Sequence, residues 1–248
     1  MSKDIYRGIC DSKKKGKKIF AVLIDPDKFG SDEVIRKCNK AGVDLLMVGG
    51  SLLSNGHFEK TIKAIKKISP IPLLIFPGNH LQISPAADGI LLLSLISGRN
   101  PELLIGKHVI AAPVLKASKI EIMPTGYMLV ESGRQTAALY MSNTHPIPHE
   151  KDDIAACTAL AGEQLGMKMI YLDAGSGAGK TVSASMINQV SAALSVPLIV
   201  GGGISTPEKA LAACKAGADV VVVGNAIEKN NALIKSIAET IHSYKNRS

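Results

Sequence analysis

Short apolar runs, each ending in a polar or glycine-bearing turn, recur along the chain and alternate with helix-like segments. Such runs predict buried strands, and their alternation with helices is typical of parallel βαβ units. The predicted strands span residues 19–24, 45–48, 72–76, 89–93, 108–112, 168–172, 198–200 and 219–223. Eight such units in 248 residues favour a closed (β/α)8 TIM barrel over an open doubly wound sheet. The fold class is therefore α/β, with residues 1–248 as a single barrel domain.

One stretch, from about residue 114 to residue 150, departs from this alternation. Residues 120–130 within it are predicted to form an extra extended pair, which gives the barrel a long extended insertion after strand five. A connection of this length is typical of a lid or a binding loop. Tyr127 lies in it and is interpreted either as a structural residue or as one that fixes the lid or contacts substrate.

Glycine-bearing turns follow the last two predicted strands. Gly201, Gly202 and Gly203 come directly after the seventh strand, and Gly224 and Asn225 come after the eighth. Glycine lets the backbone adopt positive φ and approach a ligand closely, and a helix that begins next offers free N–H groups to a phosphate. Because right-handed crossovers place all these turns on one face of a barrel, the two turns predict a phosphate site there.

The turn after the sixth strand combines ionisable side chains with glycines. Residues 171–177 read Tyr-Leu-Asp-Ala-Gly-Ser-Gly, and period-2 alternation places Tyr171 and Asp173 on one face, as a hydrogen-bonding neighbour and a general base. Residues 174–181 also match a relaxed P-loop pattern, but a P-loop normally follows the first strand of an open sheet. We therefore interpret this turn as a phosphate loop of a barrel and not as an ATP site.

Asp25 and Ser51 are candidate ligands for a metal ion. Asp25 directly follows the first strand, and Ser51 follows two glycines after the second. A carboxylate and a hydroxyl oxygen suit a hard divalent cation held against a diphosphate. The other interpretation is ordinary turn chemistry, which fits Asp27 and Lys28 well.

Composition and charge narrow the function classes. Hydrophobic residues make up 46% of the chain without any tryptophan, which predicts an aliphatic core. The formal charge of +8 suits an anionic small substrate, but aromatic residues are only 4% and do not alternate with basic ones, so no nucleic-acid partner is expected. The lysine-rich segment 13–18 is interpreted as a solvated loop, with peripheral contact to an anionic membrane as the alternative. Four widely spaced cysteines without a metal pattern, no signal peptide and no long apolar run predict a soluble, cytoplasmic protein.

Taken together, these motifs resemble the geranylgeranylglyceryl phosphate synthase family, whose sister group is the bacterial heptaprenylglyceryl phosphate synthases. The resemblance runs essentially from one end of the chain to the other. The motifs that carry it are LIDPDK (23–28), VGGS (48–51), IFPGN (75–79), PTGY (124–127), YLDAGSGA (171–178), VGGGI (200–204) and VGNA (223–226).

The resemblance implies a Mg²⁺-assisted prenyltransferase of ether-lipid biosynthesis that joins sn-glycerol 1-phosphate to a long-chain prenyl diphosphate. It implies Asp25 and Ser51 as the Mg²⁺ ligands, and we expect Asp173 and Tyr171 to be the catalytic residues. The residues implied to bind glycerol 1-phosphate are Tyr171, Leu172, Asp173, Ala174, Gly175, Ser176, Gly177, Gly202, Gly203, Gly224 and Asn225. The family usually has a glutamate where this chain has Asp173, whose side chain is one methylene shorter.

The donor and the assembly are expectations of the same kind. The YLDAGSG form favours geranylgeranyl diphosphate, in a groove lined by Phe76, Pro77, Leu93 and the long fifth connection. The alternatives are a longer donor such as heptaprenyl diphosphate, another phosphate-binding barrel enzyme acting on a sugar phosphate, or a non-catalytic barrel. A homo-oligomer is expected, although barrel packing explains the amphipathic last helix as well as a subunit contact does.

Overall fold

Eight parallel strands form a closed barrel in the computed structural model, which describes residues 4–244. Each strand pairs in parallel with the next one along the chain, and β8 pairs with β1 to close the barrel. The strands are β1 (Ile19–Ile24), β2 (Leu45–Val48), β3 (Leu73–Ile75), β4 (Gly89–Leu95), β5 (Glu121–Leu129), β6 (Met169–Asp173), β7 (Leu198–Gly201) and β8 (Val220–Val223). The prediction of a (β/α)8 barrel is confirmed.

The helices surround this barrel, and local sequence explains where several of them begin and end. They are α1 (Ile5–Lys14), α2 (Glu33–Ala41), α3 (Phe58–Ile68), α4 (Lys107–Ser118), α5 (Ala137–Ser142), α6 (Asp152–Gln164), α7 (Ala184–Ala193), α8 (Pro207–Ala216), α9 (Asn225–Lys229) and α10 (Leu233–Ser243), with a π-helical turn (Glu102–Gly106) leading into α4. The side chain of Thr206 caps α8 by accepting the N–H of Lys209, and proline takes the first helical position. Gly217 ends the same helix with φ of 116°, a left-handed conformation that glycine adopts without strain.

The core has two layers separated by the strands. Side chains that alternate outward pack against the helices, and those that alternate inward fill the barrel. The inner layer is mostly aliphatic, with Met47, Leu91 and Ile199 among its members, and near the carboxyl ends of the strands it contains Tyr127 and Tyr171. Helix α1 adds Ile5 and Ile9 to this inner layer, so the barrel interior is a packed core and not a pore.

The lysine-rich segment 13–18 is only partly solvated. Lys13 Nζ lies 2.9 Å from Asp219 Oδ2, and Lys18 Nζ lies 3.6 Å from Asp219 Oδ1. The side chain of Lys18 is only 6% exposed. The interpretation of this segment as a solvated loop is therefore wrong for Lys13 and Lys18, because a buried aspartate at the start of β8 engages both ammonium groups.

The fifth strand is not where the sequence predicts it. Residues 108–112 lie in helix α4, with Ala111 buried against the barrel, whereas residues 121–129 form β5 itself and not an extra extended pair. A short apolar run does not separate a strand from a buried helix turn, and Pro124 and Gly126 disguise the true strand. A long connection does follow β5: residues 130–151 contain α5 and a parallel bridge between Val130 and Ile147.

The connection between β3 and β4 lacks a helix. Residues 76–88 form turns, although a helix normally follows each strand of such a barrel. Gln82 braces this segment: its Nε2 donates to the carbonyl of Gly50, and its Oε1 accepts the N–H of Gly78. A braced run of turns therefore takes the place of a helix between β3 and β4.

The last helix belongs to the barrel's own packing. Ile234, Ile237 and Ile241 of α10, and Ile227 of α9, are at most 2% exposed, and α10 packs on α8 and α2. These residues are therefore not available for a subunit contact. Among residues 4–244, no helix combines the length and the apolar character that crossing a membrane would require.

Candidate active site

Asp173, the last residue of β6, lies at the carboxyl-terminal mouth of the barrel and is 6% exposed. The hydroxyl of Tyr127 donates to its Oδ2 at 2.6 Å, and the N–H of Gly175 donates to its Oδ1 at 2.7 Å. Burial raises the pKa of Asp173, while the hydrogen bonds from Tyr127 and Gly175 act in the opposite direction. Two donors thus fix the orientation of the carboxylate, as a positioned general base requires.

Tyr171 lies two residues earlier on the same face of β6 and is 1% exposed. Its ring stacks on Phe76 with centroids 5.1 Å apart and meets Tyr127 edge-on at 5.5 Å. Burial, with a further contribution from the negative charge of Asp173, raises the pKa of Tyr171, so its phenol stays protonated. The predicted hydrogen bond to Asp173 comes from Tyr127 instead, because the pairing of β5 with β6 sets Tyr127 directly beside Tyr171.

The loops after β6, β7 and β8 meet beside this carboxylate. Gly202 sits so close to the β6 loop that a Cβ there would lie 2.6 Å from the backbone nitrogen of Gly175. The hydroxyl of Ser176 donates to Oδ1 of Asn225, the first residue of α9, at 2.9 Å. The structure therefore brings the three predicted phosphate loops together.

Backbone conformation explains most of the glycines in these loops. Gly175, Gly177, Gly202 and Gly203 have φ values of 88°, 75°, 83° and 71°, where a side chain would be strained. Gly224 has φ of −120°, outside the left-handed region.

Two predicted substrate-binding residues, Leu172 and Ala174, point away from the mouth. Their side chains alternate with that of Asp173 and belong to the outer core layer, with 0% and 2% exposure. Only their backbone groups are therefore available to a ligand at the mouth.

The two candidate metal ligands lie on adjoining loops. A Cβ on Gly50 would lie 3.5 Å from Oδ1 of Asp25, and Ser51 is the next residue along the chain. Gly78 packs on the same loop, where a Cβ would lie 2.8 Å from Cα of Ser51. Within residues 4–244, no group of three or more His, Cys, Asp or Glu side chains is placed to hold a metal. The predicted ligands at this point are thus one carboxylate, that of Asp25, and one hydroxyl, that of Ser51.

Both oxygens of the Asp25 carboxylate already have partners. The N–H of Asp27 donates to Oδ1 at 3.0 Å, and Lys28 Nζ lies 3.0 Å from Oδ2 and 3.1 Å from Oε2 of Glu228. Burial opposes the charge of Lys28, but its hydrogen bonds to the two carboxylates outweigh it and raise the pKa of Lys28. Asp27 fits the interpretation as a turn residue, because its Oδ2 accepts the N–H and the hydroxyl of Ser54. The partnership of Lys28 with Glu228 spans 200 residues and has no signal in the sequence.

A mostly apolar cavity of about 350 Å³ adjoins Ser51 and extends from the turn after β3 along β4 to helix α4. The predicted groove residues Phe76, Pro77 and Leu93 all line it, and so do Ala138 and Met141 from the connection after β5. Leu103 of the π-helical turn and Ala111 and Leu115 of α4 also line it, and sequence reasoning missed Ala111 because it assigned residues 108–112 to a strand. The polar side chains on the lining are Ser51, Asn79, His80, Lys107, His108 and Ser142, together with the hydroxyl of Tyr127.

Fold and site together define a (β/α)8 barrel with glycine-rich loops at its mouth and an apolar cavity beside them. A family model described as the PcrB family matches residues 12–241, and the chain belongs to that family.

Relatives and solved structures agree with this membership. The geranylgeranylglyceryl phosphate synthase of Chitinophaga pinensis is 52% identical over 98% of both chains, and that of Thermococcus kodakarensis is 42% identical over 90% of both. The synthase of Thermoplasma acidophilum, solved in complex with its substrate sn-glycerol-1-phosphate, has a TM-score of 0.91 and 34% identity, and it covers 97% of this chain and 99% of its own. These matches confirm the resemblance read from the motifs.

Proposed function

We propose that this chain joins sn-glycerol 1-phosphate to geranylgeranyl diphosphate and so forms geranylgeranylglyceryl phosphate and diphosphate. One observation carries the proposal: Tyr127 lines the apolar cavity and also donates a hydrogen bond to Asp173. An apolar chain in the cavity would therefore end beside the carboxylate that adjoins the phosphate loops. The names of the relatives at 52% and 42% identity support the same activity.

Glycerol 1-phosphate is the acceptor in this proposal. Its phosphate would bind where Gly175 to Gly177, Gly202 and Asn225 converge, because backbone N–H groups of such loops suit an anion. Its hydroxyl would then point toward Asp173. Holding two reactants in one geometry in this way lowers the barrier by several kcal/mol, about 7–11 kcal/mol in the best cases.

The proposed reaction breaks the allylic C–O bond to the diphosphate and forms a new C–O bond to the glycerol hydroxyl. Asp173 accepts the proton that this hydroxyl loses, and the diphosphate leaves with the bonding electron pair. Tyr127 keeps the carboxylate turned toward the mouth, and Tyr171 packs behind it. The apolar lining of the cavity keeps water away from the allylic carbon, which protects a cationic transition state from hydrolysis.

Mg²⁺ is part of the proposal, and the donor set fits it. Asp25 and Ser51 supply hard oxygen atoms, and Mg²⁺ in proteins is commonly held by one or two carboxylates together with substrate phosphates. When bound, the ion would neutralise charge on the leaving diphosphate.

The prenyl donor and the assembly stay predictions. The cavity supports a long apolar donor, since its lining combines Phe76 and Leu93 with Leu103 and Leu115. The homo-oligomer is supported by an apolar surface on the helix before β5, where Ile105, Val109, Ile110 and Val114 are 54–67% exposed. Light scattering of the purified chain at micromolar concentration measures the assembly directly.

A transfer assay tests the function. The chain is incubated with glycerol 1-phosphate, Mg²⁺ and radiolabelled donors of 10, 15, 20 and 35 carbons, and organic-extractable product is identified by mass. We expect the greatest turnover with the 20-carbon donor. No product with any of the donors would refute the proposal, and a maximum with the heptaprenyl donor would correct its chain length.

The variant Asp25→Asn separates catalysis from mere binding. Removing the carboxylate charge should lower turnover by at least about a hundredfold, because the metal would lose its only protein carboxylate. Lys63→Gln is a matched control, since Lys63 pairs with Glu59 on the exposed face of α3. Unchanged turnover of Asp25→Asn would show that the metal role is assigned to the wrong residue.

A further inference from the structure

Lys28 links the loop that carries Asp25 to the helix that follows the third phosphate loop. Its ammonium lies between Oδ2 of Asp25 and Oε2 of Glu228, at 3.0 Å and 3.1 Å. Glu228 belongs to α9, the helix that begins with Asn225. The side chain of Lys28 is 53% exposed, whereas those of Asp25 and Glu228 are 22% and 23% exposed, so the ammonium covers the two carboxylates from the solvent side.

A cation that binds Asp25 has to compete with Lys28. Oδ1 of Asp25 is engaged by the N–H of Asp27 and Oδ2 by the ammonium, so neither oxygen is without a partner. A divalent cation on the same carboxylate would also be repelled by the neighbouring positive charge. Ser51 is neutral, and the negative charge of Glu228 is already shared with the same ammonium, so neither residue removes this repulsion. Lys28 therefore weakens the affinity of the metal site as long as no further anion is present.

A diphosphate changes this balance. It brings several negative charges and its own oxygen ligands, and ammonium groups readily bind phosphate oxygens. The flexible four-carbon stem of Lys28 lets its ammonium leave Asp25 for a diphosphate oxygen, which frees Oδ2 for the metal. Departure of the Lys28 ammonium from Asp25 and arrival of the metal on that carboxylate would then be a single exchange.

We propose that Lys28 is a resident cation on Asp25 that makes divalent-metal binding depend on the diphosphate and then itself contacts the diphosphate. This inference rests on the proposed function, because that function places a diphosphate at Asp25. It goes beyond that function by assigning a role in metal and diphosphate binding to a residue that the sequence marks only as part of a turn.

Metal binding to the chain without substrates is the first test. Mn²⁺ is titrated into the wild-type chain, Lys28→Gln and Lys28→Arg, and free Mn²⁺ is followed by electron paramagnetic resonance. We expect Lys28→Gln to bind Mn²⁺ about fivefold to tenfold more tightly than the wild type, since one repelling charge is gone. Lys28→Arg should match the wild type, and Asp25→Asn should lose the site. Equal or weaker binding by Lys28→Gln, with its circular dichroism unchanged, would overturn the inference.

Diphosphate binding is the second test. Equilibrium dialysis measures labelled inorganic diphosphate on the same variants at a fixed excess of Mn²⁺. Lys28→Gln should bind it about fivefold more weakly than the wild type, and Lys28→Arg should restore most of the affinity. Lys63→Gln, which removes a lysine from an exposed ion pair elsewhere, should change neither measurement. Diphosphate affinity that does not respond to Lys28→Gln would remove the contact from the proposal.

These measurements fail independently of the proposed function. Absence of prenyl transfer would refute the function whatever Mn²⁺ does. A chain that makes product but whose Mn²⁺ affinity is unaffected by Lys28→Gln would refute only the role of Lys28.

Discussion

The hydrogen bond between Tyr127 and Asp173 can be removed almost alone. Tyr127→Phe deletes one hydroxyl and keeps the ring, which packs at 5.8 Å from Phe76 and 5.5 Å from Tyr171. The hydroxyl donates to a buried carboxylate at 2.6 Å, and hydrogen bonds to charged groups contribute about 1.5–3 kcal/mol. Because this hydrogen bond favours the charged form, the pKa of Asp173 should be higher in the variant.

The pH dependence of kcat/KM for glycerol 1-phosphate measures this change. Asp173 must be deprotonated to accept the hydroxyl proton, so the acidic limb of the profile should move to higher pH. Glycerol 1-phosphate titrates too, but equally in both proteins, so the difference between the profiles isolates the enzyme. Tyr140→Phe is the control, because Tyr140 is 72% exposed and its hydroxyl should not matter.

Unfolding provides a readout that does not depend on activity. Burial makes the folded-state pKa of Asp173 higher than its unfolded value, so its contribution to stability is lost as pH rises through the window between the two. Tyr127→Phe raises the folded-state pKa of Asp173 further and so extends this pH window upward. The variant should be less stable than the wild type by about 1.5–3 kcal/mol at pH 7, and by less at pH 4. An acidic limb that stays in place while the stability changes as expected would refute the role of Asp173 as the base.

Three further substitutions test the packing, the base of the barrel and the cavity. Gly201→Ala should destabilise the fold by about 1–3 kcal/mol in urea unfolding and lower turnover, because the new Cβ collides with the hydroxyl of Tyr171. Gly8→Ala is the control: this glycine faces open space on α1, so the change should be neutral or stabilising. Asp219→Asn should cost about 3 kcal/mol in the same assay and leave KM unchanged, since it disrupts a buried ion pair far from the mouth. Ala111→Phe should lower turnover of the 20-carbon donor about tenfold and spare a 10-carbon donor; equal losses with both donors would remove Ala111 from the donor site.

Seven of the eight strands follow from the sequence because their apolar runs end in recognisable turns. Residues 45–48 and 220–223 are buried on both faces, and continuous aliphatic runs of that length are typical of parallel strands. The prediction of the fifth strand is wrong for a local reason: Pro124 interrupts the true strand, while the apolar residues of α4 resemble a strand in sequence. Ala111 and Leu115 are both buried and lie four residues apart, which is a helical pattern. The predicted strand 108–112 ends before Leu115 and is too short to reveal it.

The sequence predicts some residues of the candidate site and misses contacts between others, and this difference has a physical cause. Asp25, Ser51, Asp173 and the glycine loops stand directly at strand ends, so strand assignment alone brings them to one face. Tyr127 is missed as the partner of Asp173, because its position depends on the register of a strand that was placed elsewhere. The bond from Lys28 to Glu228 joins the loop after β1 to helix α9 near the other end of the chain, and only closure of the barrel by β1 and β8 brings them together.

Asp173 can act as a base although both of its oxygens are engaged. A carboxylate offers about four lone-pair positions, and Tyr127 and Gly175 occupy one on each oxygen. The β7 loop closes over it so tightly that a Cβ on Gly202 would lie 2.7 Å from Oδ1, so the room around the carboxylate is set by backbone. Because an aspartate side chain is one methylene shorter than a glutamate, we expect the glycerol hydroxyl to be bound closer to the end of β6 than a glutamate would require.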